Sequence, residues 1–347
     1  MTDSSQVQEH ALEALAFPLA WRREAKACAD AIKARDRFVV AAHVRLDGDA
    51  LSSLAAAALL LKSLGKQFAL FTPTGVPAYL GFLPLPSIPV ERLHRLPFKA
   101  GCLLALDCGT PSRLGEELGA LAPDLPCINI DHHVGQGMGD VFSLVKPEAC
   151  ATAQVLASVI FAAGVPLDRD LAQALALGLV TDTGGFRHDN ATPEVFALAS
   201  RLALAGADIY QIREALDKNE TLGRFRLWSR LLGRVELKEE GRVAMCSCTL
   251  QDLQETGTTA EDMEGLVDRM RDLKGVDAAC LLREQDPGST RVSLRSSAGV
   301  DVNAAAASFG GGGHVKAAGG TLRVPLAEAT EVVLAALRRH AFAPKAE

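Results

Sequence analysis

Histidines and aspartates occur in four groups within the first 190 residues, and each group follows an apolar run. The groups are His43-x-x-x-Asp47-x-Asp49, Asp107, Asp131-His132-His133 and Asp182. Carboxylates and imidazoles are costly to bury beside one another unless a cation neutralises them. A chain that brings them repeatedly to the ends of buried segments is constrained to a fold in which those ends meet. We interpret the pattern as a hydrolytic centre that holds two metal ions.

Short apolar segments alternate with Ala/Leu-rich segments over the same part of the chain. They predict strands at 38–44, 67–72, 102–106 and 125–130, and helices at 6–35, 50–64, 151–163 and 171–179. Such alternation is typical of a doubly wound, mainly parallel sheet with helices on both faces. Ligands of these sheets bind beyond the carboxyl ends of the strands. Three of the four groups fall at such ends, which agrees with a common site.

The remainder of the chain predicts a smaller α/β domain, reached through charged helices at 193–235. Its predicted elements are a hairpin at 234–239 and 242–249, a helix at 261–273, strands at 277–284 and 291–295, and a short helix at 302–309. We therefore divide the chain into a metal-binding catalytic domain (1–205), a helical connector (206–232) and a substrate-binding domain (233–347).

The formal net charge of −6 limits the class of partner. It argues against a broad basic surface that coats long nucleic acid, although a short basic pocket remains compatible with it. The eight cysteines form no CxxC pair and predict buried free thiols in a reducing cytosol. The sequence shows no cleavable leader and no apolar stretch long enough for a bilayer. We expect a cytoplasmic protein without a membrane partner.

The donor atoms of the four groups indicate the kind of metal. Asp47 and Asp49 are two residues apart, and positions i and i+2 of an extended segment face the same way. With His43 they converge on one strand-to-loop turn. Neighbouring strand ends and the loop after a helix supply the other donors, which are Asp107, His132 and Asp182. Mostly oxygen donors with two imidazoles suit Mn²⁺ or Mg²⁺ better than a thiolate-seeking metal.

Each group taken alone has a simpler interpretation. An aspartate after a strand is usually a helix N-cap, and Asp49 could cap the helix that begins near Ala50. A single buried histidine is usually only hydrogen-bonded. The four groups together, in this order, favour the metal centre.

These motifs resemble the signatures of the DHH phosphoesterase superfamily, and the resemblance runs from about residue 35 to residue 330. It implies one metal site formed by His43, Asp47 and Asp107. It implies a second site, bridged to the first by Asp107, that consists of Asp49, Asp107, His132 and Asp182. It also implies that His133 contacts the substrate phosphate while Asp131 orients a neighbouring imidazole. Asp107, His133 and Asp131 are thus the implied catalytic residues.

A glycine-rich run, from Phe309 through Gly310–Gly313 to Gly320, is the second strong signal. Consecutive glycines permit positive φ and let an anion approach backbone N–H groups. His314 and Lys316 add donors beside it. Apolar segments flank the run, which argues against a flexible linker. It does not match a P-loop, because no Ser or Thr follows Lys316.

This run is similar to the glycine-His motif of the DHH-associated C-terminal domain, with Arg295-Ser296 on its basic strand. One departure is Val315, where many relatives have a polar residue. The pairing resembles phosphodiesterases of short oligonucleotides (nanoRNases) that also dephosphorylate 3′-phosphoadenosine 5′-phosphate. The resemblance implies that the second domain holds a substrate phosphate or terminal base through Arg295, Ser296, Gly312, Gly313, His314 and Lys316. Arg113 and Arg187 either add phosphate contacts near the metals or are solvated surface arginines.

The expected function is therefore a phosphodiesterase with two divalent ions, Mn²⁺ before Mg²⁺, that trims short RNA or linear dinucleotides to mononucleotides. Its partners would be these substrates and a second copy of the chain, with no long nucleic acid. A manganese pyrophosphatase is an alternative, but it would carry a cluster of adjacent basic residues in its second domain. A RecJ-type exonuclease would bring additional domains. A non-catalytic nucleotide sensor would not need all six metal ligands.

Overall fold

The computed structural model describes residues 15–218, 221–297 and 299–342. The chain divides into two compact units, Met1–Asn219 and Glu220–Glu347. The predicted helix at 6–35 lies partly outside the described residues, and within them it forms Trp21–Lys33. The predicted connector is shared between the units. Its exact limits, like the other domain boundaries, stay a prediction.

The first unit contains a sheet of five parallel strands in the order β2-β1-β3-β4-β5. The strands are β1 (Phe38–Ala41), β2 (Phe68–Phe71), β3 (Cys102–Leu106), β4 (Cys127–Asp131) and β5 (Phe142–Val145). Every residue of β1, β3 and β4 is buried, which explains their continuous apolar sequence. In the sheet, β2 lies on one side of β1 and β3 lies on the other. The order of the strands therefore reverses at β1, and the crevice between the carboxyl ends of β1 and β3 is a topological switch point.

Helices cover this sheet on both faces, which confirms the predicted doubly wound fold. The α-helices described in this unit are α1 (Trp21–Lys33), α2 (Gly48–Ser63), α3 (Glu116–Leu121), α4 (Thr152–Ala163), α5 (Arg169–Asp182), α6 (Pro193–Leu204) and α7 (Ile209–Asp217). One face packs on α1, α2 and α4, and α5 packs on α2 and α4. The opposite face is covered by α3 and by neighbouring single turns. Because α2 and α4 lie within the core, their apolar residues are not confined to one stripe.

The second unit contains a mixed sheet of six strands in the order β10-β11-β9-β8-β7-β6. The strands are β6 (Glu236–Lys238), β7 (Val243–Cys248), β8 (Ala278–Asp286), β9 (Ser289–Ser296), β10 (Gly312–His314) and β11 (Ala317–Leu322). Its helices are α8 (Leu222–Leu232), α9 (Leu250–Thr256), α10 (Leu266–Arg271), α11 (Val302–Ala307) and α12 (Leu326–Ala336). One face packs on α11 and α12, while β7 and β8 also pack on α8 and α10 through the other face.

Several elements differ from the sequence-based expectation, and α3, α9, β10, β11 and α12 were not predicted. Strand β5 was not predicted, because it lies at the sheet edge and only one of its four residues is buried. The predicted helix at 261–273 is broken into a 3₁₀ turn and α10, since Gly265 has a φ of +82°. Asp182 is the last residue of α5 rather than part of the following loop.

No single helix in the described part of the chain is long and apolar enough to cross a membrane. Only α6 and α7 taken together meet that criterion, and the pair is bent by 102°.

Candidate metal centre

Seven side chains with metal-binding donors meet near the carboxyl ends of β1, β3 and β4. Two of the groups share Asp107. One consists of His43, Asp47 and Asp107, and the other consists of Asp107, His132 and His133. A further group consists of Asp49, His132 and Asp182. The structure thus brings together all six residues that the sequence proposed as metal ligands.

The first cluster lies between the end of β1 and the start of α2. The His43 Nε2 atom is 3.4 Å from Asp47 Oδ2 and 3.4 Å from Asp107 Oδ2. Asp47 is the N-cap of α2, since its Oδ1 accepts a hydrogen bond of 3.0 Å from the N–H of Ala50. The cap is therefore Asp47, and Asp49 lies in the first helical turn. The extended i, i+2 geometry predicted for this pair is replaced by a capped helix start.

The second cluster surrounds His132. Its Nε2 atom is 3.4 Å from Asp182 Oδ2, 3.7 Å from Asp107 Oδ1 and 4.0 Å from Asp49 Oδ2. The other ring nitrogen, Nδ1, lies 3.3 Å from the carbonyl of Ala149. A proton on Nδ1 would satisfy that carbonyl and leave the Nε2 lone pair directed at the carboxylates, which is the arrangement that a metal-binding imidazole needs.

Asp107 connects the two clusters. Its Oδ2 faces His43, whereas its Oδ1 faces His132. The side chain is almost fully buried, and its backbone has a φ of +53°, a left-handed conformation that aspartate tolerates better than most residues. Each carboxylate oxygen therefore faces a different cluster, an arrangement that is compatible with a ligand bridging two metal ions.

The amino terminus of α4 holds two of these carboxylates. The N–H of Thr152 donates to Asp49 Oδ2 (2.6 Å) and the N–H of Ala153 donates to Asp49 Oδ1 (2.9 Å). The Thr152 hydroxyl donates to Asp107 Oδ1 at 2.9 Å. Free N–H groups at a helix start favour anions. Sequence reasoning missed Thr152, and the only available signal was a threonine at the start of a predicted helix.

His133 is held by Asp131 beside the clusters. The His133 Nδ1 atom is 2.8 Å from Asp131 Oδ1, and the same oxygen accepts the N–H groups of His132 and His133. The hydrogen bond with Asp131 raises the pKa of His133. Burial alone would raise the pKa of Asp131, but the hydrogen bonds from His133 outweigh it and lower that pKa. The pair presents a half-exposed imidazole near the metal ligands, and the raised pKa favours its protonated form.

The carboxylates repel one another strongly in the absence of a cation. Burial, followed by the charges of Asp182 and Asp107, raises the pKa of Asp49 well above its usual range. Burial and the charge of Asp107 raise the pKa of Asp182 to about 8. Burial opposes protonation of His43, but hydrogen bonds with Asp107 and Asp47 raise its pKa to about 9. Divalent cations would remove this repulsion.

The donor set fits such cations. It offers four carboxylates and two imidazoles, a set suited to hard or borderline divalent ions. The neighbouring thiols do not compete for the role, since burial raises the pKa of Cys108 to about 11 and also raises that of Cys150. All eight cysteines are buried and free, as the sequence predicted.

The arginines proposed near the metals are exposed. Arg113 lies in the 3₁₀ turn Pro111–Leu114, and its charge acts on His133, whose pKa it lowers slightly against the dominant effect of Asp131. Arg187 follows a turn in which Gly184, Gly185 and Phe186 all have positive φ.

The residues proposed for substrate binding in the second unit do not all share one face. His314 is exposed on edge strand β10, and Arg295 lies beside it in the sheet through Ala317. Arg295 Nε is 3.2 Å from Asp268 Oδ1 on α10, a partner that sequence reasoning missed. Ser296 points to the opposite face, where its hydroxyl is buried and donates to the carbonyl of Val300 at 2.7 Å.

The glycine run forms part of the same sheet rather than a free loop. Gly312 and Gly313 belong to β10, and a Cβ on Gly313 would lie 2.4 Å from the carbonyl oxygen of Ala317. Lys316 is exposed in the turn between β10 and β11.

Two family models match this sequence. The model "DHH family, N-terminal domain" matches residues 37–179, which contain the strand ends and most of the ligands. The model "DHHA1 domain" matches residues 241–341 of the second unit.

Known proteins resemble the chain over most of its length. It is 34% identical over 300 residues to the bifunctional oligoribonuclease and PAP phosphatase NrnA of Thermus thermophilus. The matched region covers 86% of this chain and 88% of that protein. An exopolyphosphatase-related protein of Bacteroides fragilis superposes with a TM-score of 0.80 at 27% identity, covering 89% of this chain and 94% of that one. RecJ of Thermus thermophilus, solved with Mn²⁺, shares the fold at a TM-score of 0.54 and 18% identity, covering 93% of this chain and 55% of RecJ.

Proposed function

The chain belongs to the DHH family of phosphoesterases, and from this premise we propose that it degrades short RNA oligonucleotides or linear dinucleotides to mononucleotides. A second activity would be removal of the 3′-phosphate of 3′-phosphoadenosine 5′-phosphate. The observation that carries the proposal is Asp107, whose two oxygens face separate clusters of ligands. The substrate class is supported by the similarity to the Thermus NrnA protein.

Two divalent cations would be held by the two clusters. His43, Asp47 and Asp107 would bind one, and the other would be bound by Asp49, Asp107, His132 and Asp182. Mn²⁺ is the proposed ion, with Mg²⁺ as the alternative, because oxygen donors predominate. Such a pair supplies Lewis acidity and lowers the pKa of the water that attacks phosphorus.

The protein itself would orient the substrate and stabilise charge. A protonated His133, fixed by Asp131, would donate to an oxygen of the phosphate under attack, where negative charge develops. Arg113 and Arg187 would add donors to the same phosphate. Arg295, His314, Lys316 and the N–H groups of Gly312 and Gly313 would hold another part of the substrate. The buried Ser296 would support β9 rather than bind substrate directly.

A small number of hydrogen-bond donors directed at the substrate phosphates would allow a chain of net charge −6 to act on RNA. Affinity would come from individual phosphate contacts, so binding should not grow steadily with substrate length. A cytoplasmic location and a homodimer are part of the proposal, and neither follows from the site geometry.

Asp107→Asn tests the metal centre, with the exposed Asp124→Asn as matched control. A loss of several kcal/mol of Lewis-acid stabilisation corresponds to about a 10³-fold loss of rate. Hydrolysis of a dinucleotide, a 5-mer, pyrophosphate and 3′-phosphoadenosine 5′-phosphate would be compared with added Mn²⁺. Near-normal activity of Asp107→Asn would contradict the bridging role. Preferential hydrolysis of pyrophosphate would contradict the substrate class.

A further inference from the structure

The second sheet has one face that is largely uncovered over β9, β10 and β11, although α10 packs on part of β9 and its Asp268 contacts Arg295. Along β9, Val292, Leu294 and Ser296 are buried, whereas the alternating residues 291, 293 and 295 are not. Along β11 the same alternation leaves residues 317, 319 and 321 accessible. The buried side packs on α11 and α12. Strand side chains alternate between faces, so the accessible residues share the other face.

The strand register arranges this open face in three rows. Residues directly opposite in antiparallel strands lie side by side on one face. The first row contains His314, Ala317 and Arg295. The middle row contains Gly312, Gly319 and Ser293. The third row contains Thr321, Arg291 and Arg283.

The third row places two arginines side by side. Arg283 and Arg291 are direct cross-strand neighbours, and like charges in that position repel each other. Arg295 in the first row has Asp268 as an ion-pair partner. Over the residues that the structure describes, neither Arg283 nor Arg291 forms an ion pair with a carboxylate. In a chain of net charge −6, an unneutralised arginine pair on an open face is a site that an anion would stabilise.

The spacing of the rows suits two phosphates of one chain. Arg291 and Arg295 are four residues apart on one strand, which is about 13 Å and too far for a single phosphate to touch both. The row between them is nearly free of side chains. A Cβ on Gly319 would lie 2.4 Å from the carbonyl oxygen of Val292, so this position must stay a glycine. A sugar or base could lie over this gap between two phosphates.

We propose that Arg283 and Arg291 form a second phosphate subsite, which holds a further phosphate of an oligonucleotide bound at Arg295 and His314. This inference rests on the proposed function, in which the first row holds a substrate phosphate. Substrates of three or four nucleotides would reach the arginine pair. A dinucleotide or 3′-phosphoadenosine 5′-phosphate would not. The subsite therefore controls the preferred length of substrate and not the rate of the chemical step.

The test compares Arg291→Gln and Arg283→Gln with Arg339→Gln, which removes an equal charge from an exposed position on the C-terminal turn that follows α12. KM and kcat are measured for a dinucleotide and a tetranucleotide. Loss of one charge-assisted contact should raise KM for the tetranucleotide roughly tenfold or more, while kcat and both dinucleotide constants stay unchanged. The slope of log KM against log salt should also fall by about 0.7 for the tetranucleotide.

An equal change for both substrates, no change for the tetranucleotide, or the same change in Arg339→Gln would overturn the subsite. Fluorescence anisotropy with labelled dinucleotide and tetranucleotide, without metal, decides the point independently of turnover. Absence of hydrolysis in the wild-type protein would count against the proposed function alone. Wild-type binding that is no tighter for the tetranucleotide than for the dinucleotide would refute the subsite alone.

Discussion

Thr152→Val isolates the link between helix α4 and the shared ligand Asp107. The Thr152 hydroxyl is buried and donates to Asp107 Oδ1 at 2.9 Å. Valine has nearly the same shape, so packing is largely retained. The N–H group that donates to Asp49 is also retained. The substitution therefore removes one donor to a buried carboxylate and little else.

The expected magnitude follows from that single bond. A hydrogen bond to a charged group contributes about 1.5–3 kcal/mol. Without it Asp107 loses one of the groups that fix its orientation between His43 and His132. Partners that orient metal ligands typically account for about 10- to 100-fold in metal affinity. At about 1.4 kcal/mol per tenfold change, the two figures agree.

Mn²⁺ affinity would be measured by isothermal titration calorimetry and by electron paramagnetic resonance, with thermal unfolding to check the fold. Thr152→Ser should restore much of the affinity, because it restores the hydroxyl. Thr72→Val is a matched control, since the buried Thr72 hydroxyl has no hydrogen-bond partner in the described structure. Wild-type Mn²⁺ affinity in Thr152→Val would refute the reasoning.

Three further perturbations probe other parts of the molecule. Gly178→Ala should abolish Mn²⁺ binding and lower Tm, because the added Cβ would lie 2.5 Å from Asp49 Oδ1; calorimetry and thermal unfolding test both effects. Asp252 is buried, which opposes ionisation, but hydrogen bonds from Thr249 and Arg234 lower its pKa to about 2. Its contribution of about 2 kcal/mol is present above pH 4 and lost as pH falls toward 2, so Asp252→Asn should flatten that part of the stability profile in urea unfolding. Arg295→Ala should raise KM several-fold with little change in kcat, measured by steady-state kinetics.

Two of these substitutions have matched controls, and two have a clear contrary outcome. Gly288→Ala adds a methyl group where only Asp286 lies near, at 3.9 Å, and should have little effect. Asp124→Asn removes an exposed carboxyl and should leave the acid limb of the stability profile unchanged. A collapsed kcat with unchanged KM in Arg295→Ala would mean that this residue acts in the chemical step. If the stability of Asp252→Asn falls between about pH 4 and pH 2 as it does in the wild type, the interactions of Asp252 with Thr249 and Arg234 are not the cause of that pH dependence.

Local patterns in the sequence predicted much of the first unit. Strand β3 has the predicted limits, and α2 begins two residues before the predicted start. Gly65 follows the end of α2 with a φ of +67°, as expected of a residue that terminates a helix. These features depend on residues close in sequence, so the hydrophobic periodicity and the helix-capping residues are enough to predict them.

Features that depend on distant residues were not predicted. Edge strand β5 lacks a strong apolar pattern, and the partners Thr152 and Asp268 are ordinary polar residues when seen alone. Whether Ser296 or Ser293 lies on the open face of β9 depends on a shift of one residue, which reverses every side chain. Local sequence does not determine that choice.

Apolar segments alternate with helical segments in the sequence, and several of them are followed by aspartate or histidine. This order determined that a doubly wound sheet would form and that carboxylates and imidazoles would lie at one edge of it. Only the tertiary structure decided which atoms meet there: Asp107 with an oxygen toward each cluster, and Thr152 holding it from the start of α4. The reason is physical. Secondary structure follows from short-range backbone and hydrophobic preferences, whereas contacts of a few ångströms depend on how whole elements pack.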